Sequence, residues 1–282
     1  MKRMIASLVV AVTALVATPN LSHAQWMGAD PDYEPTWDKV MRTGKLMVGC
    51  VPNPPFASVD PSSSEWKGLH VKMASDLAEQ MGVEWECVNT TWGNAALAIQ
   101  TGKVDVVMTL SATPARAKAI TFAGPVYQQS YMMVYGQNVE PKQTWTEYDN
   151  PDLRVAIVTG TSNEQLADSL MPNATKVKLA PNSSPSLAVT SGRADAYLSS
   201  LFTGMIALGK NPNIGGLSIP EPAATTLAYA GMRNEPDRRF TDFVGWWAEW
   251  NRNNGTIENW FRDALVNDFG VPSDMMPDDF KM

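Results

Sequence analysis

VDVVMTLSATPAR, Val104 to Arg116, joins two kinds of sequence without a break. The first seven residues are apolar apart from Asp105 and Thr109. A β-strand carries such a run when helices cover both faces of its sheet. Thr113 is then a good helix N-cap, and Pro114 suits a first helical turn, where its missing N–H is not needed. The spacing predicts a strand feeding a helix that continues through ARAKAI, residues 115–120. A strand end opening onto a helix start presents unpaired backbone N–H groups. Thr109 and Ser111 place hydroxyls on one face of the strand, and Arg116 adds a planar fork that matches a carboxylate with two parallel bonds. In one reading these residues clamp an anion. In the other, Thr113 caps a surface helix and Arg116 pairs with a nearby acid. Spacing alone leaves both open.

Outward from this stretch the pattern repeats. Upstream, TWDKVMRTG reads as a short helix capped by Thr36 and stopped by Gly44. KLMVGCV is a strand, PNPPFASVDPSSSEWKG a turn-rich loop, and LHVKMASDLAEQMG an amphipathic helix stopped by Gly82. VEWECV is a strand and NAALAIQTG a helix ended by Gly102. Downstream, YMMVYGQN is read as a new strand after PVYQQS. A second series follows through RVAIVTG, NEQLADSLM, TKVKLA, SPSLAVTSG, ADAYLSS, LFTGMIALGK and LAYAGMR. Two closing helices break at Asn253-Asn254-Gly255. Strands joined by helical crossovers predict an α/β fold in two halves, each a mainly parallel sheet flanked by helices. Ligands in such sheets sit beyond the carboxyl ends of the strands, and a cleft between halves is a favoured site. RVAIVTGTSNEQ repeats the strand-to-helix geometry in the second half, with Thr161 and Ser162 at the helix start.

Composition limits the function. Lys2 and Arg3, an apolar run from Met4 to Ala17 and Ser22-His23-Ala24 read as a signal peptide over 1–24, cut after Ala24. The run is shorter than the ~20 apolar residues a membrane span needs. An exported, periplasmic chain is the expectation, with a loose leader at 25–35. The formal charge of −7 and the lack of Lys/Arg clusters argue against nucleic acid. Cys50 and Cys87 either pair once or stay free. With His70 the one histidine outside the signal segment, neither a metal site nor a cofactor is expected. Trp246, Trp247, Trp250 and Trp260 are read as packing residues of the last helices. The tail PSDMMPDDF lacks the spaced ligands of a calcium loop and reads as a solvated end.

The runs GKLMVGCVPNPPF, GLHVKMASDLAEQMGVEWECV, LAIQTGKVDVVMTLSATPARAKAITFAGPVY, RVAIVTGTSNEQL, SGRADAYLSS and NNGTIENWF together resemble the family 3 bacterial solute-binding proteins over about residues 36–265. That family serves ATP-driven (ABC) importers, mostly for polar amino acids. The resemblance implies a type II periplasmic binding protein fold with two hinge strands. Lobe 1 is expected at 36–128 and 228–282, and lobe 2 at 129–227. It implies a small carboxylate-bearing solute, a membrane permease as partner, a monomer, and no enzymatic activity. It places ligand contacts at Asn53, Trp92, Thr109, Ser111, Arg116, Thr161 and Ser162.

Two positions depart from the family pattern. Where amino-acid binders carry an aspartate for the α-ammonium group, this chain has Ser200, with Ser199 beside it. Where they carry GFD, this chain has GLH, with His70 in place of the acid. The first departure points to a solute without a free ammonium group, and the second is expected to affect packing only. Two alternatives stay in view: a dehydratase-like enzyme on the same fold, which needs an acid or base in the cleft, and a periplasmic partner of an alcohol dehydrogenase, suggested by the cysteine-bearing first strand.

Overall fold

The computed structural model describes residues 33–211 and 213–272. The signal segment, most of the leader and the acidic tail lie outside the described residues. Everything below belongs to the unit that begins at Glu34.

Helix α1 (Thr36–Thr43) and strand β1 (Lys45–Cys50) come first. A small hairpin, β2 (Ser58–Val59) and β3 (Trp66–Lys67), precedes α2 (Leu69–Met81), β4 (Glu84–Asn89), α3 (Ala95–Gln100) and β5 (Val106–Ser111). One turn, α4 (Pro114–Ala117), leads into the long β6 (Ile120–Gly136), followed by α5 (Trp145–Tyr148). The second series runs β7 (Arg154–Val158), α6 (Ser162–Leu170), β8 (Thr175–Leu179), α7 (Pro185–Thr190), β9 (Ala196–Ser200), α8 (Leu201–Lys210) and β10 (Ile214–Ser218). Then come β11 (Thr225–Arg233), α9 (Arg239–Asn253), α10 (Thr256–Asp263) and a π-helical turn at Ala264–Asp268.

The strand order is β4-β1-β5-β11-β6-β9-β7-β8, with β10 also on β6. β1 lies parallel between β4 and β5, and β7 lies parallel between β8 and β9. These two parallel groups are joined through antiparallel β6 and β11. β6 pairs with β11 as far as Ser130 and with β9 from Tyr131 onward. The result is the two-lobed type II architecture, two α/β halves sharing one strand.

β5 is buried along its whole length, which is why its sequence shows no polar face. Val106 and Met108 enter the core made with Leu69, Met73, Phe240 and Phe261. Val107 and Leu110 turn to the opposite face and meet Ile99. β7 divides the same way, with Val155 and Ile157 on one side and Ala156 on the other. Each such large side chain contributes about 1.5–3 kcal/mol by leaving water. The strand ends of both halves are thereby fixed, and the cleft is built on them.

Several expectations change. The helix after Thr113 is one turn, not a run through ARAKAI, because Ile120 already pairs with Arg233 in β6. Thr36 is the first residue of α1, not its cap, and its N–H and hydroxyl donate to Glu235. YMMVYGQN does not begin a new strand; it continues β6. Cys50 and Cys87, left open above, form a disulfide with Cα atoms 5.5 Å apart. Trp247 is buried, bonded to Asp76 and stacked on Trp260. Trp246 and Trp250 instead stand 72% exposed.

Candidate functional site

A cleft of about 760 Å³ lies at the strand ends, a size suited to a small solute. All eight residues singled out in the sequence line it: Asn53, Trp92, Thr109, Ser111, Arg116, Thr161, Ser162 and Ser200. Their chemical states differ.

Arg116 is only 6% exposed. Thr113 caps its one-turn helix, accepting from the Arg116 N–H at 3.3 Å. Nη1 donates to the Ser111 carbonyl at 3.1 Å. Nη2 donates to the Trp92 carbonyl at 2.6 Å and to the Gly160 carbonyl at 3.4 Å. The last bond crosses from one half of the molecule to the other. Burial lowers the guanidinium pKa to about 10, leaving it charged at neutral pH. No carboxylate among the described residues lies within ion-pair distance of it. The surface-helix reading of this arginine therefore fails: it is buried and has no acid partner among the described residues.

Thr109 and Ser111 end the same strand. Thr109 has φ +55°, unusual for a β-branched residue, and its hydroxyl lies 2.7 Å from His70 Nε2. Ser111 Oγ is 3.5 Å from the phenol of Tyr131, which also reaches Ser162 Oγ at 3.4 Å and Thr226 Oγ1 at 3.0 Å. Hydroxyls from both halves thus converge on one residue of β6.

The second strand end is more self-contained. Thr161 caps α6: it accepts from the Glu164 N–H and donates to the Val158 carbonyl at 2.7 Å. Its hydroxyl is thus committed within the chain. Glu164 in turn accepts from the Gly160 N–H. With the Glu164 N–H taken by the cap, the N–H groups of Ser162 and Asn163 are the first-turn donors left for the cleft.

Trp92 stands edge-on to Phe56 and to His70, each at 5.7 Å between centroids, so it is both a wall of the cleft and part of the core. Asn53 Nδ2 reaches Thr203 Oγ1 at 3.4 Å, and that hydroxyl donates to the Pro54 carbonyl. Ser200 is the N-cap residue of α8 but makes no capping side-chain bond.

Sequence reasoning gave His70 a packing role only and missed Tyr131, Gln129, Asn182 and Lys210. Of these, Gln129, Asn182 and Lys210 line the cleft. The GFD departure was the only signal for His70. Among the described lining residues there is no aspartate or glutamate, and the basic residues are Arg116 and Lys210.

A family model for bacterial extracellular solute-binding proteins, family 3, matches residues 46–265. A probable amino-acid ABC transporter periplasmic-binding protein of Sinorhizobium fredii is 24% identical over 176 residues, covering 60% of this chain and 57% of that one. Cyclohexadienyl dehydratase of Pseudomonas aeruginosa is 22% identical over 208 residues, covering 73% and 78%. The first curated relatives are matched over less than two thirds of their own length. Among solved structures, an ancestral amino acid-binding protein described as a precursor of cyclohexadienyl dehydratase is 27% identical. It superposes with a TM-score of 0.68 over 80% of this chain and all of its own. With the family match spanning both α/β halves and the cleft between their strand ends, this chain belongs to the bacterial extracellular solute-binding proteins, family 3.

Proposed function

We propose that this chain is the periplasmic solute-binding component of an ABC importer, and that its solute is a small, amino-acid-like carboxylate without a free ammonium group. The carrying observation is Arg116, a buried cation without a carboxylate partner among the described residues, in a cleft lined by no aspartate or glutamate. A buried charge is costly until paired, and a solute carboxylate would pair it. An ammonium group in the same cleft would find only hydroxyls, amides and carbonyls. A quaternary or amide nitrogen avoids that cost, and a quaternary one can rest against the face of Trp92. The names of the relatives support transport and amino-acid-like solutes. The permease partner and the lobe boundaries at 36–128 with 228–282 and 129–227 belong to the same reading, as does the monomeric state.

The dehydratase relative motivates the enzyme alternative. Such chemistry asks for a general acid or base poised at the substrate, and the described lining offers no carboxylate for it. The alcohol-dehydrogenase partner reading asks for a blocked cleft, and 760 Å³ is room for a solute.

A thermal-shift screen of amino acids, betaines, amides and organic acids tests the proposal. A solute at ~100 times its Kd stabilises by about 2.7 kcal/mol. Stabilisation by amino-free or N-modified carboxylates, absent in Arg116→Ala, is the expected result. Submicromolar binding of an ordinary L-amino acid would overturn the specificity. Turnover of any stabilising solute, followed by NMR, would overturn the binding-protein reading.

A further inference from the structure

His70 contacts Thr109, one of the cleft's first-half hydroxyls, yet it does not itself line the cleft. We propose that His70 is a positioning residue, held as the Nε2–H tautomer, that donates to Thr109 Oγ1 and so turns the Thr109 hydroxyl proton toward an anion in the cleft.

Four observations carry this. His70 is fully buried in the first turn of α2, with its ring 5.9 Å from Phe56 and 5.7 Å from Trp92. Its Nε2 lies 2.7 Å from Thr109 Oγ1. Its Nδ1 is buried with no hydrogen-bond partner among the described residues. Thr109 sits at φ +55°, where a β-branched residue stays only if its surroundings hold it. That position coincides with a register shift in the β5–β11 ladder, between Tyr229 and Gly231.

The ring has two neutral forms. If Nδ1 carries the proton, Nε2 must accept from Thr109. A buried N–H is then left bare, and Thr109 can only accept from the cleft. If Nε2 carries the proton, Nδ1 is left as a bare acceptor. Thr109 Oγ1 then accepts from the ring, and its own proton is free to point into the cleft. Orphaned buried N–H donors are rarer than under-used acceptors, so the second form is favoured. Full protonation would orphan the same Nδ1–H and add a buried charge. Burial opposes that charge, lowering the imidazole pKa to about 3. Thr109 then offers a donor that does not change with pH near neutrality, alongside the charge of Arg116. The anion, though not the tautomer, rests on the function proposed above.

The test needs no identified solute. In the ¹⁵N-labelled full chain near pH 7, long-range ¹H–¹⁵N correlation reads the imidazole tautomer directly, with the His70 signal assigned by its loss in His70→Gln. A pyrrole-type Nε2 and a pyridine-type Nδ1 are expected. The reverse assignment, or an average of both forms, would overturn the proposal. Sodium acetate then serves as the carboxylate probe, followed through the amide shifts of Thr109 and Arg116. His70→Leu, which keeps apolar volume but has no donor, should bind acetate about tenfold more weakly. His70→Gln, whose amide can replace the Nε2 donor, should recover most of that loss. Equal acetate affinity in wild type and His70→Leu would overturn the positioning role. The expected tautomer with no acetate response in wild type would overturn the anion reading and the use made of the donor, leaving the tautomer standing.

Discussion

The two strand ends that face the cleft share a plan, strand to turn to helix, yet one is open and the other closed upon itself. At the end of β7 the polar groups satisfy one another: Thr161 bonds to Val158 and Glu164, and Glu164 takes the Gly160 N–H. At the end of β5 they do not. Arg116 is buried and charged with only carbonyls to bond, and Thr109 is strained and bonded to a half-satisfied histidine. A self-satisfied helix start contributes stability. An unsatisfied one stores binding capacity, because a ligand can complete it. The difference lies in one residue type: α6 carries its own acid at Glu164, whereas α4 has no acid in its turn.

The largest expected effect is at the open end. Arg116→Ala should weaken the best solute of the screen by at least tenfold, since truncating one member of a buried charge pair costs about 2–5 kcal/mol. Arg116→Lys should not restore it, because an ammonium group cannot reproduce the two-pronged geometry. Calorimetry on both variants checks this, and unchanged affinity in either would place the anion elsewhere.

The next effect is on stability in acid. His70 is buried and neutral, with its pKa lowered from 6.5 to about 3. The unfolded chain takes up a proton below pH 6.5 while the folded chain does not. Its contribution is therefore complete above that pH and is lost as pH falls from about 6.5 toward 3. The slope is about 1.4 kcal/mol per pH unit, or roughly 2 kcal/mol by pH 5. Half-buried carboxylates held low by partners, such as Asp195 beside Arg154, lose their share in more acidic solution. Urea midpoints at pH 7 and pH 5, compared between wild type and His70→Gln, isolate the histidine. Parallel curves would show that the ring is not buried neutral in solution.

What could be read from the sequence follows the same division. The alternating halves were legible because continuous apolar runs such as Val106–Leu110 and glycine stops such as Gly82, at φ +69°, are local signals. Only the second half of β6, within YMMVYGQN, was read as a strand, and its first half was passed over. In the fold, residues 124–126 bulge opposite Tyr229 and the strand continues. β10 was passed over because its glycines read as loop. A Cβ on Gly216 would meet the Tyr135 hydroxyl at 2.5 Å, and one on Gly215 the Gly136 carbonyl at 2.4 Å, so these glycines allow close pairing. Of the eight cleft positions, Thr109, Ser111, Arg116, Thr161 and Ser162 were legible at strand-to-helix junctions, while Asn53, Trp92 and Ser200 came from the family resemblance alone. The bond between His70 and Thr109 spans 39 residues, and no local pattern announces it. The commitment of the Thr161 hydroxyl to Val158 and Glu164 was hidden for the same reason: a cap and a ligand donor look alike in sequence.

A paired substitution sharpens the contrast further. Thr161→Ala should cost about 1 kcal/mol of stability through the lost cap and change solute affinity little. Thr109→Ala should do the opposite, with affinity falling about tenfold through loss of a hydrogen bond to a charged group. Chemical denaturation and calorimetry on each variant give the two numbers. If Thr161→Ala lost affinity as strongly as Thr109→Ala, the closed end would be an open one.

The smallest effect, and the most specific, is expected at Ser200. It lines the cleft and caps α8 without a side-chain bond. Ser200→Asp has two separable consequences. A carboxylate at a helix N-terminus is stabilising in itself, by about 0.3–1 kcal/mol at an exposed end, so the melting temperature should rise slightly with no solute present. If the same carboxylate also faces the cleft, it supplies the anion that an α-ammonium group needs, and plain L-amino acids should begin to bind. The two outcomes are told apart by repeating the screen on the variant. A higher melting temperature with the wild-type solute profile would mean that the carboxylate turned to the helix, and that the missing acid at this position does not set specificity. A shift of preference toward unmodified amino acids, with Arg116 still required, would mean that the absence of one carboxylate at the start of α8 decides which solutes this cleft accepts.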